Sequence, residues 1–287
     1  MNKEKLREVA TYYEDVWLTR LENGASDGCV HYGLHIDGMS TKPKLNTNRL
    51  IENTLVREMP HRSEGGAKQG VLDLGCGIGG TLKHLYEKRG YAWELFGVCS
   101  SSKEERIAVL NLPLAVDVVA LDYHDVSLTE RFYPLHGVYA VESLCQSWDR
   151  PQVLTNVWHA LVPGGVFLVL DAMLDGDVHH AGGLLKLYED VRAGFHVPDL
   201  YEVPLMTRLV NAGFEVEKEL DFTPNVAESI FDSAGRAIYR DGTNAIPLRT
   251  QLHGLACAGM AGLLAHKRLR YTLTIARKPI DADTQAE

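Results

Sequence analysis

No two cysteines in this chain stand close enough in sequence to read as a metal-ligand or redox pair. The five, Cys29, Cys76, Cys99, Cys145 and Cys257, are scattered singly and odd in number. That argues against a zinc ribbon and a disulfide framework, and it fits a reducing cytosol. No run of lysine and arginine appears, and the formal net charge is -9. Nucleic acid is therefore not an expected partner. No apolar stretch reaches the roughly 18 residues of a membrane span. The opening MNKEKLREVATYY lacks the apolar run of a signal peptide. The expectation is a soluble, cytoplasmic protein with no membrane span. Internal repeats and low-complexity tracts are also missing. His179-His180 is the one histidine pair, but its ring directions diverge, and apart from Asp175 and Asp177 no carboxylate sits at recognised ligand spacing. No metal is expected.

What is present is an ordinary globular composition, 45% hydrophobic and 23% charged over 287 residues. Residues 1–66 read as a helical, aromatic-rich N-terminal cap, with helices near Lys5–Leu21 and Leu45–Met59 around a Gly/Asp-rich loop. A polar linker, HRSEGGAKQG, follows. Residues 67–172 alternate strand and helix patterns: strands at Gly70–Leu74, Trp93–Val98, Val116–Leu121, His136–Val141 and Val166–Leu170, with helices between. That alternation predicts an α/β fold with a parallel sheet covered on both faces. Residues 173–204 read as an inserted cap segment. Residues 205–287 supply a helix at Leu205–Ala212, a strand at Phe214–Phe222, helices near Val226–Tyr239 and Leu248–His266, and a last strand at Leu269–Ala276.

The strongest single signal is Val71-Leu-Asp-Leu-Gly-Cys-Gly-Ile-Gly-Gly, which follows a strand and opens a helix. Gly75, Gly77 and Gly79 let the backbone turn sharply and approach a ligand. Gly75, Gly77 and Gly80 also satisfy G-x-G-x-x-G, so a dinucleotide site is one reading. Two features point away from it. Asp73 closes the strand, where a carboxylate suits a ligand ammonium group and not a pyrophosphate. The second strand, ending Gly97-Val-Cys, is not followed directly by the acid that holds a ribose in such enzymes.

Asp73-Leu-Gly-Cys-Gly-Ile-Gly resembles the first motif of class I methyltransferases that use S-adenosyl-L-methionine (SAM). Leu161-Val-Pro-Gly-Gly-Val-Phe resembles the turn before the fifth strand of that family, and the closing helix–strand–strand order is similar too. The resemblance implies a Rossmann-like, seven-stranded, mostly parallel sheet whose last strand is antiparallel. Within the family, His31-Tyr-Gly-Leu, Gly97-Val-Cys-Ser-Ser-Ser, Glu142-Ser and Asp221-Phe-Thr-Pro look most like enzymes that methylate carbon. Those are the sterol, tocopherol and geranyl diphosphate C-methyltransferases and the teleocidin-type terpenoid methyltransferase. The implied cofactor residues are Asp73, Gly75, Cys76 and Gly77 in the loop; Cys99, Ser100 and Glu104 after the second strand; Asp122 and Tyr123 after the third; and Glu142 after the fourth. Glu104 stands where the subgroup often has glutamine. Asp122 matches the acid that accepts from the adenine amino group.

Glu142 ends the fourth strand, where an open parallel sheet presents its ligands. With His31 and Tyr32 it forms the expected catalytic set. If the acceptor is an alkene, a carboxylate there steadies the carbocation and takes its proton. If the acceptor is a hydroxyl or amine, Glu142 or a histidine serves as base. Tyr13, Trp17, Trp148, Tyr188, Phe195 and Tyr201 are the expected lining of a hydrophobic substrate pocket, with Tyr12 beside them. No Arg/Lys cluster suited to a diphosphate appears. The reading is a SAM-dependent methyltransferase of a hydrophobic small molecule, carbon-directed on a prenyl or terpenoid double bond. O- or N-methylation, a non-catalytic SAM-binding module and a nicotinamide oxidoreductase are the alternatives. The N-terminal helix covers either its own site or a neighbour's in a homo-oligomer.

Overall fold

The structure, a computed structural model, describes residues 3–22, 28–61, 66–239 and 248–280. Two helices, α1 (Lys3–Glu22) and α2 (Pro43–Glu58), precede the sheet. The chain then alternates β1 (Gln69–Leu74), α3 (Gly80–Arg89), β2 (Trp93–Cys99), α4 (Ser102–Asn111), β3 (Val116–Ala120), α5 (Ser127–Phe132) and β4 (Leu135–Val141). A single 3-10 turn, Leu144–Gln146, leads to α6 (Arg150–Ala160), β5 (Leu161–Leu174), α7 (Gly182–Phe195), α8 (Leu205–Asn211) and β6 (Glu215–Asp221). Helices α9 (Thr223–Tyr239) and α10 (Leu248–Ala265) and strand β7 (Leu269–Arg277) complete it.

The strands form one seven-stranded sheet in the order β3-β2-β1-β4-β5-β7-β6. Strands β1 to β5 run parallel, and β7 lies antiparallel to both β5 and β6. All six residues of β1 are buried, as are those of β5 from Gly164 to Met173. Such continuous burial is what a sheet covered on both faces requires. The chain winds from β1 outward to β3, then returns to β4 on the other side of β1. The strand order thus reverses between β1 and β4, where a crevice opens beyond the strand ends.

Local signals explain the boundaries around that crevice. Gly79, with φ 86°, starts α3. Ser101 caps α4 by accepting from the Glu104 amide. Asp149 caps α6, whose first turn holds Pro151.

Four sequence expectations need correction. The fifth strand begins at Leu161, not Val166: Leu135 pairs with Leu161 and Gly137 with Val166, so the Pro163-Gly-Gly turn is an irregularity inside a longer strand. The strand also continues to Leu174, pairing Met173 with Arg270, and so crosses the expected boundary at 172/173. The following segment, expected as an inserted cap segment, contains a full helix, α7. It lies flush against α10: a Cβ on Gly194 would stand 2.1 Å from the Leu252 carbonyl oxygen. Gln69, expected in the linker, belongs to β1, which starts one residue before the expected Gly70.

Candidate active site

The crevice opens into a cavity of about 1180 Å³, bounded by the β1–α3 loop, the ends of β2 to β5, the segment 28–45, and helices α1, α9 and α10. It is floored by the glycine loop. The Gly75 and Cys76 amides both donate to the Val98 carbonyl, at 2.9 and 2.8 Å, folding the loop back onto β2. Gly75 has φ +99°, and a Cβ there would lie 2.4 Å from the Ser143 Cβ. Ser143 itself donates its hydroxyl to the Leu74 carbonyl, so the loop and the β4 end are locked together.

Acidic side chains line this floor. Asp73 is buried and accepts from the Tyr139 hydroxyl at 2.9 Å. Burial pushes its carboxyl up to about 7. Glu104 is buried, its Oε2 accepting from the Ser100 amide and hydroxyl at 3.0 and 2.7 Å. Asp122 is buried too, and its Oδ2 has no hydrogen-bond partner among the described residues.

Glu142 is held differently. Its backbone is left-handed, φ 50°, an uncommon conformation for a side chain of this kind. Its amide donates to the Leu170 carbonyl at 2.9 Å. Oε1 accepts twice, from the Tyr32 amide at 2.8 Å and the Tyr271 hydroxyl at 2.6 Å. Both donors are on one oxygen, which leaves Oε2 for whatever fills the cavity. Burial raises the Glu142 carboxyl to about 7, against the opposing pull of His31, Tyr271 and the Tyr32 amide. Beside it, the His31 ring hydrogen-bonds the Tyr32 carbonyl through Nδ1 at 2.9 Å. A carbonyl only accepts, so Nδ1 carries the proton and Nε2 the lone pair. Burial lowers the His31 pKa and keeps the ring neutral. Nε2 has no partner among the described residues.

The cavity thus brings together the expected catalytic set and every expected cofactor residue: Asp73, Gly75, Cys76, Gly77, Cys99, Ser100, Glu104, Asp122, Tyr123 and Glu142 all line it. Of the expected aromatic lining, Tyr13, Trp148 and Phe195 are there. Gln146 ties two of them, donating to the Tyr13 hydroxyl at 3.1 Å and the Phe195 carbonyl at 2.9 Å. Tyr12 lines it as well, its hydroxyl 2.8 Å from His253 Nδ1. Tyr188 and Tyr201 do not. Tyr188 is buried behind the wall and donates to Glu202 at 2.6 Å. Tyr201 supports Asp171, donating to its Oδ2 at 2.6 Å beneath the Arg150 guanidinium. Trp17 lies on α1, but its side chain is outside the described residues. His179 and His180 pair with Glu202 and Asp177 at the surface.

The sequence reading missed Tyr271 and Asp171. Tyr271 sits on β7, 129 residues from the carboxyl it holds. Asp171 is the residue after Leu170 on β5, next to Glu142 across the sheet, and it lines the cavity. One further fact about the wall was not visible from spacing: all five cysteines line this single cavity.

A family model described as a methyltransferase domain matches residues 71–165. Residues 71–165 are thus a methyltransferase domain, and the chain is similar to SAM-dependent methyltransferases in sequence and in fold. An O-methyltransferase, resE, of Aspergillus sclerotiorum is 26% identical over 210 residues, covering 72% of this chain and 76% of that one. The sterol 24-C-methyltransferase of Saccharomyces cerevisiae is 26% identical over 162 residues, covering 54% of this chain and 41% of the yeast protein. In fold the chain is similar to geranyl diphosphate C-methyltransferase from Streptomyces coelicolor, with TM-score 0.68 and 14% identity over 96% of this chain and 98% of that one.

The residues of this methyltransferase fit SAM. The unpartnered Asp122 Oδ2 lacks the donor that an adenine amino group provides. Asp73, Glu104 and Glu142 give a cationic ligand an acidic surround. Bound SAM supplies an electrophilic methyl group on a sulfonium. The protein's part is to position, exclude water and manage protons. The Tyr271 hydroxyl favours the ionised form of Glu142, so Tyr271→Phe is expected to raise its pKa further. The rising limb of the pH–rate profile then moves up by about one pH unit. An unmoved limb removes Tyr271 from proton management. Among the described residues no helix is long and apolar enough to cross a membrane.

Proposed function

We propose that this enzyme methylates carbon at an electron-rich double bond of a hydrophobic, prenylated or terpenoid small molecule. The observation that carries the reading is the Glu142 carboxyl: raised to about 7 by burial, held by two donors on Oε1, and lining a cavity that Tyr13, Trp148 and Phe195 also line. Bound SAM would supply the methyl group, its sulfur keeping the pair of the broken S–C bond, while the alkene π pair makes the new carbon–methyl bond and the adjacent carbon is left cationic. The ionised Glu142 steadies that cation and takes a proton from its neighbour, which restores a double bond. Aromatic faces such as Tyr13 and Phe195 add to the stabilisation. The likeness to a sterol C-methyltransferase supports this.

A second reading, O-methylation, is favoured by His31. Its neutral ring, with Nε2 unpartnered among the described residues, is a base suited to a hydroxyl. The likeness to an O-methyltransferase of Aspergillus sclerotiorum supports that side. Labelled-methyl transfer to a panel of terpenoid alkenes, phenols and alcohols, with product analysis, separates the two. Label on carbon, lost in Glu142→Gln and kept in His31→Gln, is the expected result. Label only on oxygen, lost in His31→Gln, overturns it.

A further inference from the structure

Behind the cavity wall, three side chains form a series that the cofactor reading does not use. The His124 amide donates to Asp122 Oδ1 at 3.0 Å, and the His124 ring meets the same oxygen through Nδ1 at 2.6 Å. The other ring nitrogen, Nε2, lies 2.9 Å from the Ser147 hydroxyl. Trp148 stacks on the imidazole, with centroids 3.8 Å apart and planes at 20°. A carboxylate oxygen accepts, so Nδ1 carries the ring proton and Nε2 accepts from Ser147.

The order of residue types is that of a hydrolytic triad, but it faces the other way. Ser147 is 1% exposed, while the acid lines the cavity. No substrate reaches the hydroxyl, so nucleophilic chemistry is not what the series is for. Its effect falls on Asp122. Both donors converge on Oδ1, which fixes the carboxyl plane and leaves Oδ2 as an acceptor in a residue 7% exposed. A carboxylate fixed in this way accepts from an amino group and repels a carbonyl at the same place.

We propose that His124, braced by Ser147 and Trp148, is the positioning residue that sets purine specificity in this enzyme, by aiming Asp122 Oδ2 at a donor on the purine six-position. The proposal rests on the reading of Asp122 as the acid that meets the adenine amino group. Asp122 touches the ligand; His124 acts through it. The function of the brace is selection: an adenosyl ligand gains a charge-assisted hydrogen bond, and a 6-oxopurine ligand meets lone pair against lone pair.

The test is calorimetric titration of the full chain with S-adenosyl-L-homocysteine and with its inosyl counterpart. The wild type is expected to prefer the adenosyl ligand by roughly tenfold or more, the effect of one hydrogen bond to a charged group. In His124→Leu that ratio falls toward one, chiefly through weaker adenosyl binding. In His124→Asn, whose amide nitrogen can replace Nδ1, it returns. A general loss of packing would weaken both ligands alike and leave the ratio unchanged, and that result overturns the proposal. A wild-type ratio near one overturns the Asp122 reading itself, and the proposal with it. If His124→Leu does not fold, Ser147→Ala decides: a ratio lowered roughly threefold supports the brace, and an unchanged ratio ends it.

Discussion

Glu142→Gln is expected to lower kcat by roughly 10²- to 10⁴-fold while S-adenosyl-L-homocysteine binds nearly as before. The glutamine carbonyl oxygen still accepts from the Tyr32 amide and the Tyr271 hydroxyl, so the scaffold around it is kept. What is lost is a group that ionises. With the carboxyl titrating at about 7, the wild-type rate rises with pH through that value, and the variant's residual rate is flat there. Stability moves the opposite way. The native state holds the Glu142 proton more tightly than the unfolded chain, whose carboxyl titrates near 4.5. The native state is therefore favoured below that value, and its advantage is lost as pH rises from about 4.5 to 7. Gln removes this loss, so thermal melting at pH 8 is expected to show a variant more stable than the wild type by on the order of 2 kcal/mol. Partial exposure of the residue screens the effect toward the lower side. At pH 4 the difference closes. Lost activity with gained stability marks a functional carboxyl; unchanged turnover removes Glu142 from the chemistry.

Gly75→Val is the second large effect expected. The position has φ +99°, where a side chain is strained by about 1–3 kcal/mol. Its Cβ would start 2.4 Å from that of Ser143, and the two further methyl groups of valine add to the crowding. Ser143 must move, and with it goes the hydroxyl bond to the Leu74 carbonyl that joins loop and strand end. The expected outcome is at least a roughly 100-fold loss of affinity for S-adenosyl-L-homocysteine, as several kcal/mol of strain fall on the cofactor floor. Gly183→Ala is the matched control: this glycine lies exposed on α7, and a Cβ there meets nothing within 4 Å. Calorimetry on folded protein should show that control binding as the wild type does. Equal affinity in Gly75→Val would mean the loop is not where the cofactor lies.

The parts legible in the sequence are those whose cause is local. The β1 loop announces itself because turn, close approach and helix start all demand glycine within ten residues. Strand β5 was visible through its apolar run, but its real start at Leu161 was not, since Pro163-Gly-Gly reads as a turn and the structure absorbs it as an irregularity. Helix α7 was hidden for a similar reason: it opens on Gly182-Gly183, and its packing logic appears only against α10. Tyr188 and Tyr201 were expected in the pocket because they are aromatic, yet aromaticity does not say which way a ring faces. Tyr271 was missed because its role depends on the antiparallel return of β7, which pairs Ala172 with Tyr271. No spacing rule encodes a contact 129 residues long.

The gathering of all five cysteines around one cavity has a consequence for an enzyme that handles an alkylating agent. A thiolate beside an activated methyl group is a competing acceptor, and the thiolate, not the thiol, is the nucleophile. Cys76 is held in the thiol form by its hydrogen bond with Cys99 and by burial, and Cys145 by burial. Burial pushes the Cys257 thiol up to about 11. These three soft, polarisable thiols are thus held in the protonated form, which is the less nucleophilic one. The same placement puts the chain's whole thiol content on the wall that a bound cofactor or acceptor touches.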